Sequence, residues 1–250
     1  MRRSDPNHLP STTHVMSSED FCSRVSKVKN PTVWLDYWTK SDHKISKFLN
    51  AYFEKSLALT EPSTLKSVFT NAKENDVFYI ASSMPIRDAL TFGACSAPVR
   101  IYCNRGASGT DGNLATAFGI SQGADKPITV VIGDVAFLYD LNSLAMVQEI
   151  KHPPTIIVIN NSGCGVFSFL PIAKKKEIFN RYFHAEHPFE FEGAALQFNL
   201  EYFNPQTNAE LQKAISSKRS KGALIEVTTT AAENFSLHKT IESEIQNALA

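Results

Sequence analysis

The sequence lacks a charge bias, and that absence removes two broad classes of partner. Its 25 basic and 25 acidic side chains cancel, so no general field draws the chain to nucleic acid or to an anionic membrane surface. Paired cysteines are also missing: Cys22, Cys95, Cys103 and Cys164 form no C-x-x-C. With no secretory signal in view, free thiols in a reducing compartment are expected. That means the cytoplasm, or a plastid if the source is eukaryotic. No uncharged apolar run reaches membrane-spanning length. Internal repeats and low-complexity tracts are absent. No G-x-G-x-x-G follows the first predicted strand, which argues against a nicotinamide-binding enzyme.

What is present describes a packed α/β protein. The chain has 250 residues, 43% of them hydrophobic, and 17 are Phe; this is enough to bury a full core. Residues 1–42 are polar and Pro-interrupted and read as a linker or the remnant of an upstream domain. Arg2, Arg3, Ser11, Thr12 and Thr13 have the flavour of a transit sequence, but Asp5, Pro6 and Pro10 favour an untidy domain edge. From Ile45, apolar residues recur at Phe48, Leu49 and Phe53 with helical spacing, and a second helix includes Leu65 and Val68. Strands are predicted at 76–81, 99–102, 128–132, 155–159 and 223–228. Helices are predicted at 114–121, 138–150, 210–216 and 237–249, with a polar, aromatic stretch after Pro171 left unassigned. This alternation predicts an open, mainly parallel sheet with helices on both faces.

Two of the predicted strands carry the chemistry. The runs 128–132 and 155–159 are β-branched and end at Gly133-Asp134 and Asn160-Asn161. The separation, 161 − 134 = 27 positions, leaves room for one helix between parallel strands. Ligands in such sheets bind at the carboxyl edge. A carboxylate and an amide there, with backbone carbonyls, are hard oxygen donors suited to Mg²⁺ holding a phosphate or diphosphate. The loop 104–112 packs three glycines into nine residues; it reads either as a tight turn or as a loop aiming N–H groups at an anion, with Arg105 offering a carboxylate fork. In Ser82-Ser83-Met84-Pro85-Ile86-Arg87-Asp88, Pro85 fits a helix start, and Ser83 is a helix cap or a substrate contact. Arg87 either joins Arg105 on a rim for a polycarboxylate or pairs with Asp88. Val166, Phe167 and Leu170 read as an apolar wall or as ordinary core. Cys164 has no paired base and reads as a small filler. His184 and His187 form H-x-x-H without a recognisable third ligand, and Glu186 and Pro188 suggest a surface turn rather than a zinc site.

Taken together, S-S-M-P-I-R-D, N-R-G-A-S-G-x-D-G, G-D-x-x-F-L-x-D-L-N-S-L and I-N-N-x-G-x-G-x-F-S-F-L-P-I-A resemble the 2-succinyl-5-enolpyruvyl-6-hydroxy-3-cyclohexene-1-carboxylate synthase family (MenD) of menaquinone and phylloquinone biosynthesis. The resemblance is strong over residues 76–230. It implies a thiamine diphosphate-binding fold, specifically the diphosphate domain over 43–250, with 1–42 as the tail of the family's middle domain. The implied activity is decarboxylation of 2-oxoglutarate on thiamine diphosphate and addition of the resulting carbanion to isochorismate. By position, Asp134, Asn161 and the Gly163 carbonyl correspond to ligands of Mg²⁺ (or Mn²⁺). Ser83, Arg87 and Arg105 match substrate-carboxylate contacts, and Val166, Phe167 and Leu170 match residues of the cofactor pocket.

There are departures from the pattern. Thr110 stands where a bulky aliphatic residue often supports the cofactor's bent shape, and Val135 replaces the third glycine of the wider G-D-G pattern. No room remains ahead of Ser82 for the family's pyrimidine-binding domain and its activating glutamate. A partner chain carrying that domain is therefore expected, as is a homo-oligomer for full-length members. A non-catalytic remnant or cofactor-binding module is the second reading. Another thiamine enzyme, of the acetolactate synthase or 2-oxoacid decarboxylase type, is the third; the Ser83, Arg87 and Arg105 set speaks against it.

Overall fold

The computed structural model describes residues 12–25, 33–56 and 58–249. The chain divides into two compact units, residues 1–44 and 45–250. In the first, α1 (Ser18–Arg24) is capped by Ser17, whose side chain accepts from the Asp20 N–H. Helix α2 (Val33–Lys55) starts well ahead of the expected Ile45. Trp34 and Tyr37 pack edge-on against Trp38 and stay exposed, so this stretch is helical and aromatic. Segment 1–11, which holds most of the transit-like composition, lies outside the described residues.

The second unit is built on a sheet whose described strands are β1 (Val77–Ile80), β2 (Arg100–Tyr102), β3 (Ile128–Gly133), β4 (Thr155–Asn160), β5 (Glu201–Phe203) and β6 (Ala223–Thr228). Their order is β2-β1-β3-β4-β6-β5, and every pairing among these strands is parallel. Buried parallel strands read as continuous apolar runs because both faces are covered, and alternate residues separate two cores. Tyr79, Val130, Ile132, Ile156 and Val158 face one core with Leu114, Phe118, Phe137 and Leu144. Phe78, Ile80, Val131, Ile157 and Ile159 face the other with Leu65, Val68, Phe69 and Leu211. Each such side chain, removed fully from water, contributes roughly 1.5–3 kcal/mol. Helices α3 (Glu61–Thr70), α4 (Met84–Phe92) and α9 (Asn208–Ser216) supply the second core; α5 (Asn113–Ala124) and α6 (Asp134–Tyr139) supply the first. Among the described residues no helix is long and apolar enough to cross a membrane.

Three elements depart from the expected pattern. The predicted helix 138–150 is instead α6 followed by a 3-10 stretch, Leu141–Gln148. The unassigned aromatic stretch holds α7 (Lys176–Tyr182), α8 (Glu192–Gln197) and β5, which has only three residues and no apolar run. The terminal helix α10 (Ala231–Leu249) begins six residues before Leu237; Asn234 and Ile241 are its buried positions.

The strand order fixes the place of a site. The chain goes from β1 outwards to β2, then returns across to β3. Parallel crossovers that leave a sheet on opposite sides open a crevice at the carboxyl ends of the two central strands. Here those ends are Ile80, Gly133 and, beside them, Asn160.

Candidate functional site

A cleft of about 510 Å³ opens at that crevice. All nine residues singled out in the sequence line it, from Ser83, Arg87 and Arg105 to Asp134, Asn161, Gly163, Val166, Phe167 and Leu170. Register explains how two of them meet. Gly133 is opposite Ile159, so Asp134, the first residue of α6, leaves the sheet beside Asn160 and Asn161.

Asp134 is 2% exposed, and its two oxygens do different work. Oδ2 accepts from the Asn161 N–H at 3.1 Å and the Gly163 N–H at 2.9 Å, and His187 Nε2 lies 3.2 Å away. Among the described residues Oδ1 accepts only from Val135 N–H, at 2.7 Å, which leaves it a lone pair for a cation. Burial pushes this carboxyl up, while the three backbone N–H groups and His187 pull it down. The charge that burial disfavours is the charge a bound cation would favour.

Asn160 and Asn161 have separate jobs. Asn160 is a structural pin: its Nδ2 donates to Glu226 Oε1 and to the Phe189 carbonyl, and its Oδ1 accepts from the Ser162 N–H. Asn161 Nδ2 donates to Glu61 Oε1 at 2.8 Å, and its Oδ1 is buried with no partner. An orphaned buried amide oxygen calls for a missing donor or cation. Gly163 sits at φ 150, where a side chain would run into the His184 carbonyl; its own carbonyl accepts from Gly165 N–H at 3.1 Å and keeps a second lone pair. These oxygens, two from side chains and one from the backbone, fit a hard divalent cation. Among the described residues no three His, Cys, Asp or Glu side chains gather as a metal cluster. The Cys164 thiol is pushed up by burial and then by Asp134, in keeping with a filler rather than a nucleophile.

The rim is polar and open. Ser83, Arg87 and Arg105 are exposed. Ser83 makes no side-chain cap to α4 and adopts φ 81, a conformation that costs a non-glycine residue roughly 1–3 kcal/mol. The capping reading of Ser83 is therefore wrong. Arg87 does not pair with Asp88 either. Its Nη1 donates to the Ser83 carbonyl at 2.5 Å, while Asp88 turns inward to His238 Nε2 at 3.1 Å. The Gly-rich loop leads into α5, but two of the first N–H groups of that helix are already taken. Leu114 N–H and Ala115 N–H donate to Asp140 Oδ2. Thr110, at the departure from the family pattern, lines the cleft, and its carbonyl accepts from Asn113 Nδ2 at 2.8 Å. On the apolar side Val166 and Phe167 are half-buried and Leu170 is exposed.

Sequence reasoning missed two side chains here. His187 is 8% exposed rather than on a surface turn. Its Nδ1 accepts from Phe189 N–H at 3.3 Å, so the proton on Nε2 faces Asp134. Glu61 is 1% exposed and lines the cleft beside Asn161. Its carboxyl is pushed up to about 7, chiefly by burial and also by nearby Asp88, against hydrogen bonds from Asn161 and Thr229. The folded chain thus holds a proton that the unfolded chain releases near the ordinary 4.5. In the metal-free protein, stability should be highest below that value and fall as pH rises through about 7. The loss is on the order of 3 kcal/mol. Urea midpoints in chelator across this interval should decline for the wild type and flatten for Glu61→Gln; equal slopes would remove Glu61 as the cause.

Comparison with known proteins adds to this geometry. The family described as "Thiamine pyrophosphate enzyme, C-terminal TPP binding domain" matches residues 88–227, more than half of the chain. The chain is 40% identical over 246 residues to the 2-succinyl-5-enolpyruvyl-6-hydroxy-3-cyclohexene-1-carboxylate synthase of Rubrobacter xylanophilus, covering 95% of this chain and 42% of that protein. Against the synthase of the same name from Salinibacter ruber it is 36% identical, covering 99% and 42%. For that of Haemophilus influenzae the figures are 37%, 85% and 38%. The chain spans less than half the length of these relatives.

Proposed function

The chain belongs to the thiamine pyrophosphate enzymes, as a C-terminal TPP binding domain of the 2-succinyl-5-enolpyruvyl-6-hydroxy-3-cyclohexene-1-carboxylate synthase kind, and from that premise we propose that it is the diphosphate-binding half of such a synthase. The reaction proposed is decarboxylation of 2-oxoglutarate followed by carbon–carbon bond formation with isochorismate, in menaquinone or phylloquinone biosynthesis. One observation carries this reading: Asp134 and Asn161, the latter with a buried Oδ1 that has no partner, line one cleft together with Arg87 and Arg105.

Asp134, Asn161 and the Gly163 carbonyl would hold Mg²⁺, or Mn²⁺ in its place, against a diphosphate. Thiamine diphosphate, when bound, supplies the electron sink for decarboxylation. The chain's own residues bind and orient. Arg87 and Arg105 fork onto carboxylates, which suits two substrates that each carry two. Ser83, held at positive φ, would add its hydroxyl at the same rim. Val166, Phe167 and Leu170 give the apolar wall that keeps water from the reacting centre. The activating glutamate would come from a pyrimidine-binding domain on another chain, within a homo-oligomeric assembly of the full-length kind.

Reconstitution tests this. Purified alone with both substrates, Mg²⁺ and cofactor, the 250-residue chain should turn over nothing measurable; mixed with a chain bearing the pyrimidine-binding domain, it should make product. Robust turnover by the chain alone would contradict the need for a partner. A stable mixed complex that binds cofactor but stays inactive would point to a cofactor-binding module.

A further inference from the structure

Glu61 lies 100 positions from Asn161 in sequence, outside every motif that defines the cleft. Its place is set by the helix it begins. Thr60 caps α3 by accepting from the Ser63 N–H, and Ser63 Oγ accepts in return from the Thr60 N–H. This reciprocal box, with Pro62 in the first turn, fixes the entry of the helix. Glu61 is thereby carried under the sheet edge, where its Oε1 accepts from Asn161 Nδ2 at 2.8 Å and from Thr229 Oγ1 at 3.3 Å. Its Oε2 is buried without a partner.

An amide has two faces of opposite character. Turned one way, Asn161 offers Oδ1 to the cleft; turned the other, it offers Nδ2, which repels a cation. The carbon skeleton barely distinguishes the two, so a neighbour must choose. Oε1 of Glu61 also accepts from Thr229 Oγ1 and is an acceptor whether or not a proton sits on Oε2. It therefore selects Nδ2 and leaves Oδ1 for the cleft. Gly165 leaves room for that same end of the amide: a Cβ there would come within 2.7 Å of Asn161 Nδ2.

We infer that Glu61 is a positioning residue of the cation site, holding the Asn161 amide in the one orientation that presents oxygen to a divalent ion. The inference rests on the cation–diphosphate reading of the cleft. It assigns no contact between Glu61 and the ion itself; Glu61 acts through Asn161.

The test uses the full 250-residue chain, with Mn²⁺ and inorganic pyrophosphate as the probe and free Mn²⁺ read by electron paramagnetic resonance. Glu61→Met keeps the bulk and removes the acceptor; it should weaken Mn²⁺ binding about 10–100-fold, the usual effect of losing a partner that orients a ligand. Glu61→Gln keeps an acceptor oxygen and should bind close to wild type. In an Asn161→Ala background, Glu61→Met should cost nothing further, because the group it orients is gone. Equal binding by wild type and Glu61→Met would overturn the inference while leaving the site reading intact. So would an equal loss in the Asn161→Ala background, or a folded Glu61→Gln as weak as Glu61→Met. If the wild type binds no Mn²⁺ with pyrophosphate, the site reading fails first and the inference with it. Should Glu61→Met not fold, the Asn161 side-chain amide of the wild type decides by NMR: slow solvent exchange supports the clamp, and exchange as fast as an exposed amide refutes it.

Discussion

Asp134→Ala should abolish cation-dependent binding of thiamine diphosphate. Losing a group that merely orients a metal ligand costs about 10–100-fold in affinity. Losing a ligand itself, the only one of the proposed three with a formal charge, should exceed about 100-fold on that scale. Two arms separate this from simple damage, because Asp134 Oδ2 also accepts from the Asn161 and Gly163 N–H groups and the variant will loosen that loop. In chelator, the wild type should fall to the level of the variant. In excess Mg²⁺, the variant should stay there. Calorimetric titration with cofactor in both conditions checks it. An affinity that depends on Mg²⁺ equally in both proteins would remove Asp134 from the metal site.

Glu226→Ala should destabilise the fold by roughly 3–5 kcal/mol, a large share of the 5–15 kcal/mol typical of a domain. Glu226 is 1% exposed on β6, in the middle of a core face otherwise apolar. It survives there because its oxygens are fully used. Oε1 accepts from Asn160 Nδ2 at 2.6 Å, and Oε2 from Phe191 N–H at 2.9 Å and Tyr202 O–H at 2.8 Å. The Tyr202 hydroxyl is pushed up, first by burial and then by this carboxylate. Truncation takes an acceptor from three donors at once, the Asn160 amide, the buried Phe191 N–H and the part-buried Tyr202 hydroxyl, which is the expensive way to lose a hydrogen bond. The effect also reaches the cleft. Asn160 loses one of its two acceptors, and its Oδ1 holds the N–H of Ser162, the residue next to Asn161. Denaturant midpoints measure the loss. A change under about 1 kcal/mol would mean that the network relaxes without penalty.

The sequence made the sheet legible where strands are buried on both faces, because β-branched runs such as 128–132 and 155–159 end sharply at polar pairs. It made the cleft legible for the same reason: side chains at strand ends inherit their position from the sheet. What could not be read were contacts made across the fold. Glu61 meets Asn161, and Asp140 caps α5 in place of an anion, through distances in sequence that carry no periodic signal. His187 resembled a turn residue because Glu186 and Pro188 flank it, yet the chain folds that turn back over Asp134. Strand β5 has three residues and borrows its register from β6, so no local pattern announces it. Asp88 looked like a partner for Arg87 by adjacency; burial of its carboxyl against α10 decided otherwise.

The central claim is tested most directly by anomalous diffraction from crystals of the 250-residue chain soaked with Mn²⁺ and thiamine diphosphate. A single strong peak in ligand distance of Asp134 Oδ1, Asn161 Oδ1 and the Gly163 carbonyl, with diphosphate density beside it, is the expected result. A peak elsewhere, or cofactor bound in the cleft with no metal touching Asp134 and Asn161, would contradict the account.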